Sequence, residues 1–122
     1  MNWILVAMGG GIGACLRYGA GLWLFKPSMS FPWPTWWINI IGCFAAGVFF
    51  AFSQKFPVLQ QETRLFLMVG ILGGFTTFSS FSYETIGLVR EGSFYLGSLN
   101  VLLNVILCLG GTAIGGAVGK LI

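Results

Sequence analysis

The chain has 122 residues, of which 57% are hydrophobic and 7% are charged, and its formal net charge is +3. A soluble domain carries charge on roughly a quarter of its residues, so this composition excludes an ordinary soluble protein. The mean hydropathy of +0.90 indicates that most of the chain lies in lipid.

The few ionisable residues exclude two further classes of function. The basic side chains are scattered at segment ends, whereas nucleic-acid binding needs Lys and Arg clustered on one face. The chain has no His and no Asp, so it offers no paired acid and base for catalysis. We therefore predict that it is not an enzyme and binds no nucleic acid.

Three cysteines, Cys15, Cys43 and Cys108, lie one per apolar segment without a CxxC or Cys/His spacing. Such a set predicts neither a disulfide framework nor a zinc site. We interpret these residues as small packing residues.

Four apolar segments follow one another, and no strand pattern lies between them. They predict an all-α membrane protein with spans at about 3–25, 35–53, 62–90 and 94–121, forming a single transmembrane domain. No Lys or Arg precedes Arg17, so we interpret the first segment as a permanent helix and not as a cleaved signal peptide. Trp33, Trp36 and Trp37 are typical of an interfacial aromatic belt.

The basic residues divide almost equally between the two sides of the predicted membrane. One side carries Lys55, Arg64 and Lys120; the other carries Lys26, Arg90 and, if it reaches that far, Arg17. Since Lys/Arg asymmetry sets orientation, two interpretations stay open. Either a weak bias selects one orientation, or the protein inserts both ways and pairs antiparallel.

Small residues recur at intervals of four in the first, second and fourth spans. They are the pair Gly9 and Gly13, the pair Cys43 and Gly47, and the triplet Gly111, Gly115 and Gly119. Such faces predict close helix packing in lipid. Four short helices enclose little volume, so an oligomer is the natural way to build a pathway.

The third span carries the most unusual segment, residues 70–82, which is rich in Gly, Thr, Ser and Phe. Paired glycines lower helix propensity, so we predict a break whose freed carbonyls can turn onto a cation. A simple kink satisfied by Thr and Ser hydroxyls is the alternative. Phe78 and Phe81 share a face beside Ser79 and Ser82, and ring edges carry partial positive charge that can coordinate an anion. Lipid contact is the alternative for these rings.

Polar residues also lie inside the second and fourth spans. Asn39 begins the set, and Asn100, Asn104, Cys108 and Thr112 follow at steps of four. Amide N–H groups suit an anion that sheds water, whereas interhelical hydrogen bonding is the alternative.

Two charged residues, Arg17 and Glu84, fall within spans, where charge is functional by default. Arg17 can snorkel or cap carbonyls, and Glu84 can face a water-filled vestibule.

Three runs of this sequence resemble the Fluc (CrcB-type) family of small fluoride channels: residues 9–18, residues 39–44 with Gly47, and residues 73–84. The likeness extends over all four spans in order and spacing, and the third run is the most specific. The resemblance implies an antiparallel, dual-topology homodimer in the bacterial inner membrane. Two fluoride pathways would follow the subunit interface and release cytoplasmic fluoride passively, which relieves its toxicity.

The resemblance also implies roles for individual residues. Phe78 and Phe81 correspond to the rings that line each pathway, and Asn39 to an amide that donates to fluoride. The carbonyls of Gly73 and Thr76 correspond to a central sodium site shared by both protomers. The remaining pathway positions are Ser79, Ser82, Asn104, Cys108 and Thr112, where Cys108 departs from the usual hydroxyl or other small residue.

Three other functions were considered. A small multidrug exporter needs a carboxylate in its first helix, where this chain has Arg17 and no acid. A fluoride/proton exchanger could use Glu84. A non-transporting assembly subunit would have no need of Asn39 or Phe78.

Overall fold

The structure is a computed structural model that describes residues 1–59 and 61–122. Every regular element in these two ranges is helical, which confirms the all-α prediction. Four helices among the described residues are long and apolar enough to cross a membrane: Asn2–Leu24, Trp33–Ser53, Arg64–Arg90 and Phe94–Leu121. We refer to them as the first to fourth spans.

The ends of the spans follow local sequence signals. The first helix ends at Leu24, and Phe25 is extended. Pro27, two residues further on, cannot continue a helix. The second helix, Trp33–Ser53, has Pro34 within its first turn, where no backbone N–H is needed. Gly92, with φ of 87°, reverses the chain between the third and fourth spans.

The third span is not uniform along its length. Residues Arg64–Leu72 form a π-helix and Gly73–Phe75 an α-helical turn, and a second α-helix covers Phe78–Arg90. Thr76 (φ −78°, ψ 154°) and Thr77 (φ −147°, ψ 115°) between them are extended.

The glycines of the third span play a different part from the one predicted. The sequence placed a break from Gly73 to Thr76, but Gly73 is helical, with φ −62° and ψ −38°. Gly74 instead gives room for the first helix: a Cβ there would lie 3.1 Å from Ala14 N. The extended residues are therefore the two threonines, whereas Gly74 serves close packing against the first helix.

Glycine faces also hold the second and fourth spans together, as predicted. A Cβ on Gly47 would meet the Thr112 carbonyl, and one on Gly115 would meet the Phe44 carbonyl. The Lys55 ammonium donates to the Lys120 carbonyl at 2.6 Å, which complements the negative C-terminal end of the fourth helix.

Adjacent glycines of the fourth span allow a matched test of this packing. Gly115→Ala forces a methyl group against the second-helix backbone, so we expect about 1–3 kcal/mol of destabilisation, the usual effect of overpacking. Gly116→Ala meets no atom within 4 Å and should leave the thermal unfolding midpoint of purified protein unchanged or slightly higher. Equal loss in both variants would contradict the assigned helix contact.

Candidate functional site

The site is centred on a two-point hydrogen bond between Asn39 and the backbone of Thr77. The Thr77 N–H donates to Asn39 Oδ1 at 2.8 Å, and Asn39 Nδ2 donates to the Thr77 carbonyl at 3.0 Å. Both residues are buried, with 8% and 6% of their surfaces exposed. Backbone groups without partners are costly in lipid, and one amide side chain satisfies both groups of an extended residue.

The break removes the regular helical donors of the backbone carbonyls just before it, those of Gly73 and Thr76 among them. In a continuous α-helix the Thr77 N–H would donate to the Gly73 carbonyl, and the Ser80 N–H to the Thr76 carbonyl. The first donor is taken by Asn39, and the second donates at 3.1 Å to the Thr77 hydroxyl, which caps the helix that follows. The carbonyls of Gly73 and Thr76 are thereby released from the helical ladder.

The two phenylalanine rings lie directly after the extended residues. Their centroids are 5.3 Å apart with an interplanar angle of 61°, an edge-on arrangement. Phe81 is buried, whereas Phe78 is 77% exposed in the single chain. The Ser79 and Thr77 hydroxyls lie 3.2 Å apart, and Ser79 and Ser82 are both exposed. The strip formed by Thr77, Phe78, Ser79, Phe81 and Ser82 therefore combines ring edges and hydroxyls without any charged side chain.

A buried network of hydrogen-bonded side chains connects the fourth span to the second half of the third. Asn104 Nδ2 donates to both oxygens of Asn100, the carbonyl at 2.9 Å and Oδ1 at 2.8 Å. Asn100 Nδ2 donates to the Thr85 hydroxyl at 2.8 Å, and that hydroxyl donates to the Phe81 carbonyl at 2.7 Å. Thr85 was not among the residues predicted from the sequence, although its place four residues after Phe81 is typical of a hydroxyl that bonds back to that carbonyl.

The other two polar residues of the fourth span, Cys108 and Thr112, lie outside this hydrogen-bonded network. The Thr112 hydroxyl is exposed and donates to the Cys43 carbonyl at 3.1 Å. The Cys108 thiol is half-buried and lies near the Cys43 thiol. These two residues therefore contact the second span, while Asn104 contacts its own helix.

Arg17 and Glu84, the two charges singled out in the sequence, line one shared cavity of about 1020 Å³ together with Arg90 and Glu91. Ser80, Ser82 and Thr35 line it as well. Glu84 Oε1 accepts a hydrogen bond from the Thr35 hydroxyl at 2.7 Å, and Oε2 is buried without a partner among the described residues. Thr35 received no role from the sequence, because its partner Glu84 lies 49 positions away and no local spacing indicates their contact.

The four apolar spans define a multi-pass membrane protein. An uncharged strip lies at the middle of the third span, and a cavity with charged side chains in its lining lies beside it. The profile of the family described as "CrcB-like protein, Camphor Resistance (CrcB)" matches residues 4–116. The chain belongs to this family.

Several relatives carry the name "Fluoride-specific ion channel FluC". The protein from Geobacter sulfurreducens is 43% identical over 114 residues, which cover 92% of this chain and 91% of the relative. One from Elusimicrobium minutum is 44% identical over 123 residues, covering 99% of this chain and 95% of the relative. One from Thermus thermophilus is 43% identical, covering 95% and 94%.

Removing the Asn39 amide tests the two-point hydrogen bond. Asn39→Leu keeps a similar volume but leaves the buried N–H and carbonyl of Thr77 unsatisfied, each at a cost of about 1–3 kcal/mol. We expect a markedly lower thermal unfolding midpoint. Ser53→Ala removes an equally buried hydroxyl that only bonds back to the Phe50 carbonyl, and it should lower the midpoint much less. Similar midpoints for the two variants would rule out the bond's structural role.

Proposed function

We infer that this chain is a fluoride-specific ion channel, which lets fluoride leave the cytoplasm passively and so relieves its toxicity. The observation that carries this inference is the family match over residues 4–116, together with relatives of that name that are aligned over nearly their whole length. The protein is accordingly a transporter and not an enzyme.

The uncharged strip of the third span suits this function on physical grounds. Fluoride is small and strongly hydrated, so its passage needs groups that replace water without trapping the ion. A Lys or Arg in a narrow pore would hold it too tightly, because Coulomb attraction grows as the local dielectric falls. Hydroxyls, amides and ring edges are weaker and can act in series, which keeps both binding and release possible.

The working form is an antiparallel, dual-topology homodimer with two fluoride pathways along its interface. Phe78 supports this proposal, since a ring of the central strip is 77% exposed in the single chain and is free to meet a second copy. The nearly equal division of basic residues between the two sides also supports insertion in both orientations. The pathway then needs the second protomer for its completion.

The rings of Phe78 and Phe81 form the middle of each pathway, with their edges turned to the ion. Asn39 Nδ2 carries two hydrogens and uses one of them for the Thr77 carbonyl, which leaves one N–H for fluoride. The remaining pathway positions are Ser79, Ser82, Asn104, Cys108 and Thr112. Arg17 and Glu84 belong to the vestibule, where the shared cavity gives them access to water.

The two extended threonines act as a functional break, and the carbonyls of Gly73 and Thr76 from both protomers would hold a sodium ion at the centre of the dimer. Hard cations prefer oxygen ligands, and these two carbonyls fit because their helical donors are taken by Asn39 and the Thr77 hydroxyl. Gly73 is also exposed in the single chain. Such an ion supplies positive potential beside the fluoride pathways while remaining outside them.

Two rival transport functions are disfavoured. A multidrug exporter of similar size would need an acid in its first helix, and this one, Asn2–Leu24, contains none. Fluoride/proton exchange through Glu84 predicts a reversal potential that follows the pH gradient, whereas a passive channel gives one set by fluoride alone.

Fluoride efflux from liposomes, recorded with a fluoride electrode, tests the function directly. Vesicles that contain the protein should release fluoride rapidly, while chloride release measured in parallel should stay at the level of empty vesicles. Fluoride release no faster than that of empty vesicles would refute the proposed function.

Replacing the rings tests the pathway. Phe78→Ile and Phe81→Ile should reduce fluoride efflux at least ~10-fold while leaving the dimer intact, since aliphatic side chains lack the positive ring edge. Phe94→Ile is a matched control, because Phe94 is 71% exposed but lies at the start of the fourth span. Undiminished efflux in both pathway variants would remove the rings from the mechanism.

The sodium site predicts a dependence on the cation. Exhaustive replacement of sodium by a large organic cation should abolish fluoride efflux by purified dimer, and restoring sodium should recover it. Full activity without sodium would reject the site.

A further inference from the structure

Two cysteines on neighbouring spans form a pair of thiols whose joint chemistry the proposed function leaves unused. Cys43 belongs to the second span and Cys108 to the fourth, and both are free and half-buried. Their thiols lie near each other. Such a pair has chemistry that a single thiol lacks, because two sulfur atoms can hold one ion between them.

The packing of the second and fourth spans brings these thiols together. Glycines of the fourth span approach the second span in matching order: Gly111 beside Ile40, Gly115 beside Phe44 and Gly119 beside Val48. The two helices therefore run parallel.

The position of Cys43 between two turns of the fourth span follows from a hydrogen bond. The Thr112 hydroxyl donates to the Cys43 carbonyl at 3.1 Å, and Cys108 lies one turn before Thr112 on the same face of its helix. Side chains lean towards the N-terminus of their helix, so the Cys43 thiol points back from Thr112 towards Cys108. The pair is held in place by the helix contact before any ion binds.

The available ligands select the kind of metal that this pair can bind. Among the residues that the structure describes, no group of three or more His, Cys, Asp or Glu side chains could hold a metal ion. A tetrahedral zinc site, which needs four ligands, is therefore incomplete here. Thiolate ligands select soft metals, and soft ions such as mercury(II) are satisfied by two sulfur atoms in a line.

We propose that Cys43 and Cys108 bind one soft, two-coordinate metal ion between them, and that the bound ion obstructs the passage of fluoride. The second part rests on the proposed function. With mercury(II) chloride, each sulfur forms a bond to mercury, each thiol gives up its proton to water, and both chloride ions leave. The reagent and the bound product are both neutral, which suits a site within two spans, where an unpaired charge is costly.

Metal binding changes what the pathway offers to fluoride. Cys108 is one of the proposed pathway positions, and its S–H group is a weak hydrogen-bond donor. The metal replaces the hydrogen on both sulfurs, and a soft metal held by two thiolates has little attraction for a hard anion such as fluoride. Fluoride therefore loses a donor at this level of the fourth span.

Mercury retention tests the site independently of transport. Purified protein is treated with mercury(II) chloride, washed with an excess of a monothiol and examined by native mass spectrometry. Two sulfurs on one scaffold should hold the metal at least ~100-fold more tightly than one does. Wild-type protein and Cys15→Ala should each keep one mercury per chain. Cys43→Ala, which retains the carbonyl that Thr112 contacts, should keep none.

Fluoride efflux from liposomes tests the effect of the bound metal in the same three proteins. After the treatment, efflux by wild-type protein and by Cys15→Ala should fall at least ~10-fold, about the weight of one hydrogen bond to an ion. Cys43→Ala should keep the rate that it has before treatment.

The outcomes separate this proposal from the proposed function. No retained mercury in wild-type protein, or equal retention in Cys43→Ala, would refute the site, and retention with undiminished efflux would refute the obstruction. Untreated wild-type protein without efflux would refute the proposed function and the obstruction, while retention still decides on the site.

Should Cys43→Ala fail to fold, alkylation of mercury-treated wild-type protein followed by peptide mapping decides the matter. Cys43 and Cys108 protected beside an alkylated Cys15 support the site, whereas alkylation of either member of the pair overturns it.

Discussion

The pairing between the Asn39 side chain and the Thr77 backbone is the interaction on which the rest of the site depends. A helix in lipid keeps its backbone satisfied by its own hydrogen bonds, so leaving helical geometry at mid-span requires another partner for the displaced groups. Asn39 provides that partner for both the N–H and the carbonyl of Thr77. The Thr77 hydroxyl then restarts the helix by capping Ser80.

The exposed and uncharged character of the strip follows from this local arrangement. Carbonyls just before the break are released, and the next residues present Phe78 outward and Phe81 inward at the start of a new helix. Every side chain from Thr76 to Ser82 is neutral. Arg17 and Glu84 line the neighbouring cavity, to which Ser80 and Ser82 also contribute.

Much of the fold could be predicted from sequence because it depends on hydropathy and on short-range spacing. Hydropathy indicated the four helices, and the intervals of four indicated close helix contacts, which the structure places between the second and fourth spans. The extended residues were predicted to begin at Gly73, because paired glycines lower helix propensity. The structure instead keeps Gly74 helical and packed against the first helix, and the two threonines that follow are extended.

The site was less accessible to such reasoning, because its key contacts join residues far apart in the chain. Asn39 and Thr77 are 38 positions apart, and Thr35 and Glu84 are 49 apart. The direction of the Asn104 amide is set by the Asn100 backbone carbonyl, which can only accept and so engages Asn104 Nδ2. Residue type alone identifies an amide, but it does not say which of its groups are engaged within the protein.

Solid-state NMR of the protein in lipid tests the diversion of the helical donors most directly. Thr76-Thr77 is the only Thr-Thr pair in the sequence, so labelling threonine with 13C at the carbonyl and 15N at the amide gives a single one-bond nitrogen–carbonyl correlation. The account predicts that the Thr76 carbonyl in this correlation has the chemical shift of an extended residue outside a helix. A helical carbonyl shift at Thr76 would contradict it.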